Sequence, residues 1–244
     1  MNNFLVLKTT PILLICLVVW MSSVWPQNPP PTLSIQPVEK KRLSIPEPSD
    51  LTWFSGAWWV VSDNGWLYRC APDFSACQKT SLTGADFEAV TTDGKVLWIS
   101  EESLRLIHAY DEPLNRITTW HARENGALNA GFEALAWDPD RRILIGITES
   151  PPVVFEWRDG MQLALETRLS FRGDVSAATV HKGKLWVLSD ESRKIFVHAL
   201  PDYKLEKVFR LHVVNPEGIA FDEKGRLLIL SDDRQTVYFY SLEE

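Results

Sequence analysis

Few of the residues that usually announce chemistry are present. The chain of 244 residues has five histidines and three cysteines. It contains no Gly-x-Ser-x-Gly elbow, no His-Glu-x-x-His and no phosphate-binding Gly-rich loop with its Lys. These absences argue against nucleophile-elbow hydrolases, zinc proteases and P-loop enzymes. Positive charge is also scarce: 25 Lys and Arg against 32 Asp and Glu, a formal charge of −7. The first 38 residues carry only Lys8, so the rest of the chain stands at −8 and has no basic stripe. That is the wrong field for nucleic acid.

Charge is missing in a second way at the N-terminus, where Pro11 to Trp25 is uncharged and mostly apolar. About fifteen residues are short for a membrane span and suit the core of a signal peptide. Counting from Phe4, with Lys8 reaching to the interface, gives about 22, enough to cross. No small-x-small cleavage site stands out, since Ser22-Ser23 lies between Met21 and Val24. Residues 1–25 are therefore expected to be a retained anchor, with a cleaved signal peptide as the other reading. Lys40, Lys41 and Arg42 follow soon after the apolar run and blur the positive-inside signal.

Cysteine placement helps instead. Cys16 lies inside the apolar run, and Ile15 before it argues against a lipoprotein site. Cys70 and Cys77 flank Ala-Pro-Asp-Phe-Ser-Ala between two expected strands. A disulfide there would mark an oxidising compartment; two unpaired thiols in a hairpin are the alternative. The domain is expected on the extracytoplasmic, periplasmic side of the cell membrane. Residues 26–41, rich in proline, read as an extended tether.

What is abundant is repetition. Glu47-Pro-Ser-Asp-Leu-Thr-Trp53, Asp86-Phe-Glu-Ala-Val-Thr-Thr92, Gly131-Phe-Glu-Ala-Leu-Ala-Trp137, Asp174-Val-Ser-Ala-Ala-Thr-Val180 and Asn215-Pro-Glu-Gly-Ile-Ala-Phe221 align without gaps. Each precedes a short apolar run ending in a hydroxyl and an acid, as in Trp186-Val-Leu-Ser-Asp190. Their third positions fall at 49, 88, 133, 176 and 217. Short strands repeating at about 40 residues indicate a β-propeller, here all-β with five blades over residues 42–244. The last repeat stops after a third strand at Thr236–Tyr240. Arg42–Ile45 is expected to supply its fourth strand and close the ring, hiding two sheet edges.

The third position reads Ser49, Glu88, Glu133, Ser176, Glu217 and should open the innermost strand beside the channel. Three glutamates around one opening repel one another unless a cation or shared protons relieve them. Glu88, Glu133 and Glu217 are the candidate ligands of a divalent metal, with Ser49 and Ser176 as polar channel lining. An all-oxygen set suits Ca²⁺ or Mg²⁺ better than zinc. The alternative is that each glutamate accepts backbone N–H bonds from the next blade. Asp63, Glu101, Glu149, Asp190 and Asp232 end the second strands at the same blade end. They read as structural acids capping the turns that follow. No histidine falls in the inner column, so a channel histidine base is not expected. The nine tryptophans after residue 50 fall mostly at strand positions and read as core, or as an aromatic platform for a partner.

With these motifs laid out, the chain resembles the SdiA-regulated (YjiK-like) family. The resemblance rests on Ser49-Asp-Leu-Thr-Trp53, Asp86-Phe-Glu88, Gly131-Phe-Glu-Ala-Leu-Ala136, Asp174-Val-Ser176, Leu188-Ser-Asp-Glu-Ser192 and Pro216-Glu-Gly-Ile-Ala220. It implies a membrane-associated or exported propeller and assigns no activity. A more distant likeness, at Glu133–Trp137 and Glu217–Phe221, is to the channel metal ligands of calcium-dependent lactonase and esterase propellers. The expectation is thus a module that binds a small molecule or protein partner, with a metal-dependent lactonase or phosphoesterase as the alternative.

Overall fold

The computed structural model describes residues 30–121, 131–158, 161–171 and 173–242. The apolar N-terminal segment, with Cys16, lies outside them. Two short strands come first, β1 (Thr32–Ser34) and β2 (Glu39–Arg42). Blade 1 follows as β3 (Pro48–Phe54), β4 (Ala57–Ser62), β5 (Trp66–Cys70) and β6 (Cys77–Thr83). Blade 2 is β7 (Phe87–Thr92), β8 (Leu97–Glu101), β9 (Leu106–Tyr110) and β10 (Arg116–His121). Blade 3 is β11 (Phe132–Asp138), β12 (Ile143–Thr148), β13 (Val153–Arg158) and β14 (Gln162–Arg168). Blade 4 is β15 (Ala177–His181), β16 (Lys184–Ser189), β17 (Lys194–Ala199) and β18 (Lys204–Arg210). Blade 5 has β19 (Pro216–Phe221), β20 (Leu227–Ser231) and β21 (Thr236–Tyr240).

Each blade is an antiparallel meander, and burial follows strand rank. Second strands such as β4 and β12 are buried along their whole length. The outer β10 and β14 are largely exposed. A second strand is covered by blades on both faces, so it reads as a continuous apolar run rather than an alternation. First strands crowd the axis, which is why small residues follow the repeated position. Ala89, Ala134 and Ala177 are fully buried. A Cβ at Gly218 would come within 3.0 Å of both Leu51 and Leu230. Blade 1 carries Asp50 instead, and its Oδ2 accepts the Val90 N–H at 3.0 Å, tying blade 1 to blade 2. Burial holds that carboxyl well above the ordinary aspartate range.

The N-terminal segment closes the ring, three residues earlier than the sequence suggested. β2 pairs antiparallel with β21 from Glu39 opposite Phe239 to Arg42 opposite Thr236. Leu43 and Ile45, expected within that strand, instead pack into the core shared with blade 1. The segment expected to be tether is therefore part of the fold from residue 32. β1 adds a fifth, parallel strand to the outer edge of blade 4, with Thr32 opposite Val208. Ser34 Oγ, 2.8 Å from His212 Nε2, holds its end. The expected disulfide is present: Cys70 and Cys77 face each other across β5 and β6 and are bonded.

Candidate functional site

Four of the five blades open on a β-bulge. The register between first and second strands slips across Ser49 in blade 1, Glu88 in blade 2, Glu133 in blade 3 and Glu217 in blade 5. The extra residue of a bulge is left unpaired and its side chain is re-aimed. The repeated motif is thus a bulge motif, and its third residue is the one set free. In blade 4 the paired strand begins just past this position: Ala177 pairs with Leu188, and the Ser176 N–H donates to the Leu188 carbonyl at 3.0 Å. The Ser176 hydroxyl donates to the Pro216 carbonyl at 3.0 Å, so it joins blade 4 to blade 5. Ser49 and Ser176 are both buried.

The bulges also decide which acid ends each second strand. Ser62, Glu101, Thr148 and Ser231 lie opposite Pro48, Phe87, Phe132 and Pro216. The residues that follow, Asp63, Glu102, Glu149 and Asp232, therefore share one position. The amides of Asp63, Glu102 and Asp232 donate to the carbonyls of Glu47, Asp86 and Asn215. Glu101, expected in this column, sits one place back. It is buried, accepts the Ala85 N–H and lies 2.9 Å from His108 Nε2. Ser100-Glu101 imitates the hydroxyl-acid ending, while Glu101 itself fills the hydroxyl's place. Asp190 keeps its position in blade 4, its carbonyl accepting the Arg193 N–H.

One further ring escaped the sequence reading: Glu47, Asp86, Asp174 and Asn215, each two residues before the repeated position. Blade 3 has Gly131 there, for a steric reason. A Cβ on Gly131 would lie 2.4 Å from Glu102 Cγ and 2.7 Å from the Glu102 carbonyl oxygen. The glycine lets Glu102 lean across from blade 2, and its N–H donates to Glu102 Oε1 at 3.3 Å.

These rings interlock as pairs of acids. Glu88 hydrogen-bonds Asp86, Glu133 hydrogen-bonds Glu102, Asp63 hydrogen-bonds Glu47, and Asp190 hydrogen-bonds Asp174. Two carboxyl groups can hydrogen-bond only if one keeps a proton. Burial, then Asp86, pushes Glu88 up to about 9. Burial, then the charges of Glu88 and Glu102, pushes Glu133 up to about 11. Burial, then Asp190, Asp232 and Asp174, pushes Glu217 up to about 8. Burial and then Glu47 lift Asp63 to about 6, while burial and then Asp174 lift Asp190 to about 7. Burial opposes Asp174's charge, but hydrogen bonds from Asp190 and Ser189 hold it below its usual value. Burial is also the first cause raising Glu149 and Asp232.

Among the described residues, the carboxylates that converge on one point are Asp86, Glu88 and Glu102. One oxygen of each lies within 4.8 Å of the others. Two oxygens on one Ca²⁺ at 2.3–2.6 Å are at most about 5 Å apart, so this set fits a hard cation. The expected trio of Glu88, Glu133 and Glu217 is not such a group. Glu133 adjoins the set through Glu102, whereas Glu217 is repelled chiefly by Asp190 and Asp232. Asp86 was legible as the first letter of its own motif, and Glu102 as the second of two consecutive acids.

Solved propellers share this fold across very different names. Myxococcus xanthus glutaminyl cyclase superposes with a TM-score of 0.71 at 14% identity, covering 88% of this chain and 98% of its own. Staphylococcus aureus virginiamycin B lyase gives 0.53 at 15%, covering 80% and 66%. The WD40 propeller domain of Doa1 gives 0.54 at 12%, covering 80% and 63%. At such identities the likeness is one of fold alone. No curated protein matches the sequence. The SdiA-regulated family model matches residues 60–243, blades and repeats together, and the chain belongs to that family.

Proposed function

We propose that this chain is an extracytoplasmic, membrane-tethered propeller whose acidic face holds a divalent cation and, through it, a ligand or protein partner. The observation that carries the proposal is the convergence of Asp86, Glu88 and Glu102. Burial acts most strongly on Glu88 and Glu133, and the groups acting next on them are themselves carboxyls. Repulsion of that kind is relieved by protons or by a cation, and an all-oxygen set selects Ca²⁺ or Mg²⁺. A cation held at a propeller mouth supplies a positive charge to an anionic group presented from outside. The chain's own part is to fix the three carboxylates: Glu88 by its bulge, Glu102 by the space at Gly131, Asp86 by its carbonyl's bond to the Glu102 amide. The disulfide supports placement in an oxidising compartment.

The test is the metal content of the purified protein, followed by Ca²⁺ and Mg²⁺ titration after chelation. Stoichiometric binding that Glu102→Gln abolishes supports the proposal. A folded protein indifferent to both ions refutes it. One observation favours a metal-dependent hydrolase as the second reading: Asp190, held near about 7, is suited to exchange a proton at neutral pH. Ca²⁺-dependent cleavage of lactones or phosphate esters, lost in Asp190→Asn with metal binding intact, would select it.

A further inference from the structure

The opposite ends of the strands carry a second and unrelated feature. Between blades 2 and 3, where first strands turn into second strands, a cleft of about 410 Å³ is walled by four tryptophans. Trp98 and Trp120 stack with centroids 5.2 Å apart on the blade 2 side. Trp137 and Trp157 face them from blade 3, with Trp157 stacked in turn on Phe155. Trp98, Trp120 and Trp137 are each only half-buried, so their rings are open to a ligand rather than sealed in the core.

The rim is cationic. Lys95, Arg142 and Arg158 border the cleft, are exposed, and make no ion pair among the described residues. The bordering acid, Asp93, is committed to its turn, accepting the N–H groups of Lys95 and Val96 at 2.8 and 2.9 Å. The cleft between blades 5 and 1 makes the contrast. It too has aromatic walls, Trp53, Trp58 and Phe239, but Arg226 is bound by Asp222 and Glu39, and Lys41 by Glu39. On a chain of formal charge −7, three uncommitted cations over an indole-lined floor form a local field opposite to that of the whole molecule.

We propose that this cleft binds a small organic anion with a flat apolar body. The ring system lies against the indoles, and the carboxylate, sulfonate or phosphate faces Lys95, Arg142 and Arg158. The volume falls in the range of small-molecule sites, roughly 300–1,000 Å³. Flat rings gain from stacking on indole, and an exposed anion gains little from one lysine but more from three convergent cations. The site is independent of the acidic face and stands whether or not that face holds a metal.

The experiment titrates the full-length protein with naphthalene-2-sulfonate and with neutral naphthalene-2-methanol, following tryptophan fluorescence and heat. The sulfonate is expected to bind saturably, one per chain, more weakly as salt rises, and at least about tenfold more tightly than the alcohol. The double variant Lys95→Glu/Arg142→Glu should weaken the sulfonate by at least about tenfold and leave the alcohol unchanged. Trp120→Ala should weaken both. Should the double variant lose stability, Lys95→Gln and Arg158→Gln, each at an exposed position, carry the same comparison. Equal affinity for the two naphthalenes, undiminished sulfonate binding in the charge variants, or no saturable binding would each overturn the proposal. Glu88→Gln serves as the control and should leave sulfonate binding intact.

Discussion

Replacing Glu88 by glutamine should stabilise the metal-free protein and at the same time remove its response to Ca²⁺. Site substitutions usually do one or the other, so the combination is diagnostic. In the fold, Glu88 keeps its proton up to about pH 9, whereas its ordinary value is 4.5. At pH 8 the unfolded chain is ionised at this position and the fold is not. Each unit of that gap is worth about 1.4 kcal/mol, so the penalty is about 5 kcal/mol at most. Neighbouring charges and relaxation of the site reduce this to roughly half, about 2–3 kcal/mol, for Glu88 itself. Glutamine is a neutral isostere that can still donate to Asp86. For a domain of this size, where 1 kcal/mol moves Tm by about 2–4 °C, Glu88→Gln in EDTA should melt about 5–10 °C higher than the parent. The parent should rise on adding Ca²⁺ and the variant should not. A variant that melts lower than the parent in EDTA, or one that keeps the Ca²⁺ shift, refutes the assignment of Glu88 as a strained ligand.

The same linkage predicts the pH profile of the chelated protein. Glu88, Glu133 and Glu217 are raised in the fold, so their stabilising protons are fully held below about pH 4.5 and lost as pH rises through about 8 to 11. Melting in EDTA should therefore fall from pH 5 to pH 8, and calorimetry that shows a flat or rising profile would contradict the burial of these groups. Replacing Cys70 and Cys77 by serine opens a short loop and should cost about 2–3 kcal/mol without altering Ca²⁺ binding, since the bond lies at the outer edge of blade 1. Thiol titration of the unfolded, unreduced protein should find neither of the two. Deleting residues 30–37 removes the exposed β1 and the half-buried Ile35 and should lower Tm by only a few degrees. Deleting residues 30–45 removes β2 with the buried Leu43 and Ile45 and should leave no cooperative transition.

The architecture was legible because a propeller repeats its sequence as it repeats its blades. Thr236–Tyr240 was placed to the residue. The closing strand was misplaced for a physical reason. Leu43 and Ile45 alternate with polar neighbours like a strand, but that alternation reflects burial against blade 1 rather than pairing with β21. β1 was hidden by its composition: Thr32–Ser34 is exposed, proline-flanked and held by backbone bonds, which leave no hydrophobic trace. The site was half legible. The glutamate column showed in the spacing, but the convergence of Asp86, Glu88 and Glu102 did not, because Glu102 reaches its place through a one-residue slip that a gapless alignment cannot represent.

That slip links the fold to the site. A bulge twists a strand sharply and frees one side chain, and a five-bladed ring needs strong twist where its first strands converge. The residue that each bulge releases is therefore delivered to the channel mouth by the geometry that closes the ring. In blades 2, 3 and 5 that residue is glutamate. Blade 4 carries serine at this position: the Ser176 hydroxyl bonds to the Pro216 carbonyl and contributes an interblade tie instead of a charge. Glycine at 131 then makes the arrangement lopsided, admitting Glu102 beside Asp86 and Glu88. Gly131→Ala tests this directly. Its Cβ would fall 2.4 Å from Glu102 Cγ, so Glu102 must withdraw, and Ca²⁺ affinity should drop by about tenfold or more, a loss of about 1.4 kcal/mol. Since Gly131 is not in the left-handed region and its side chain offers no ligand, unchanged affinity in a folded Gly131→Ala protein would mean that Glu102 does not hold the ion.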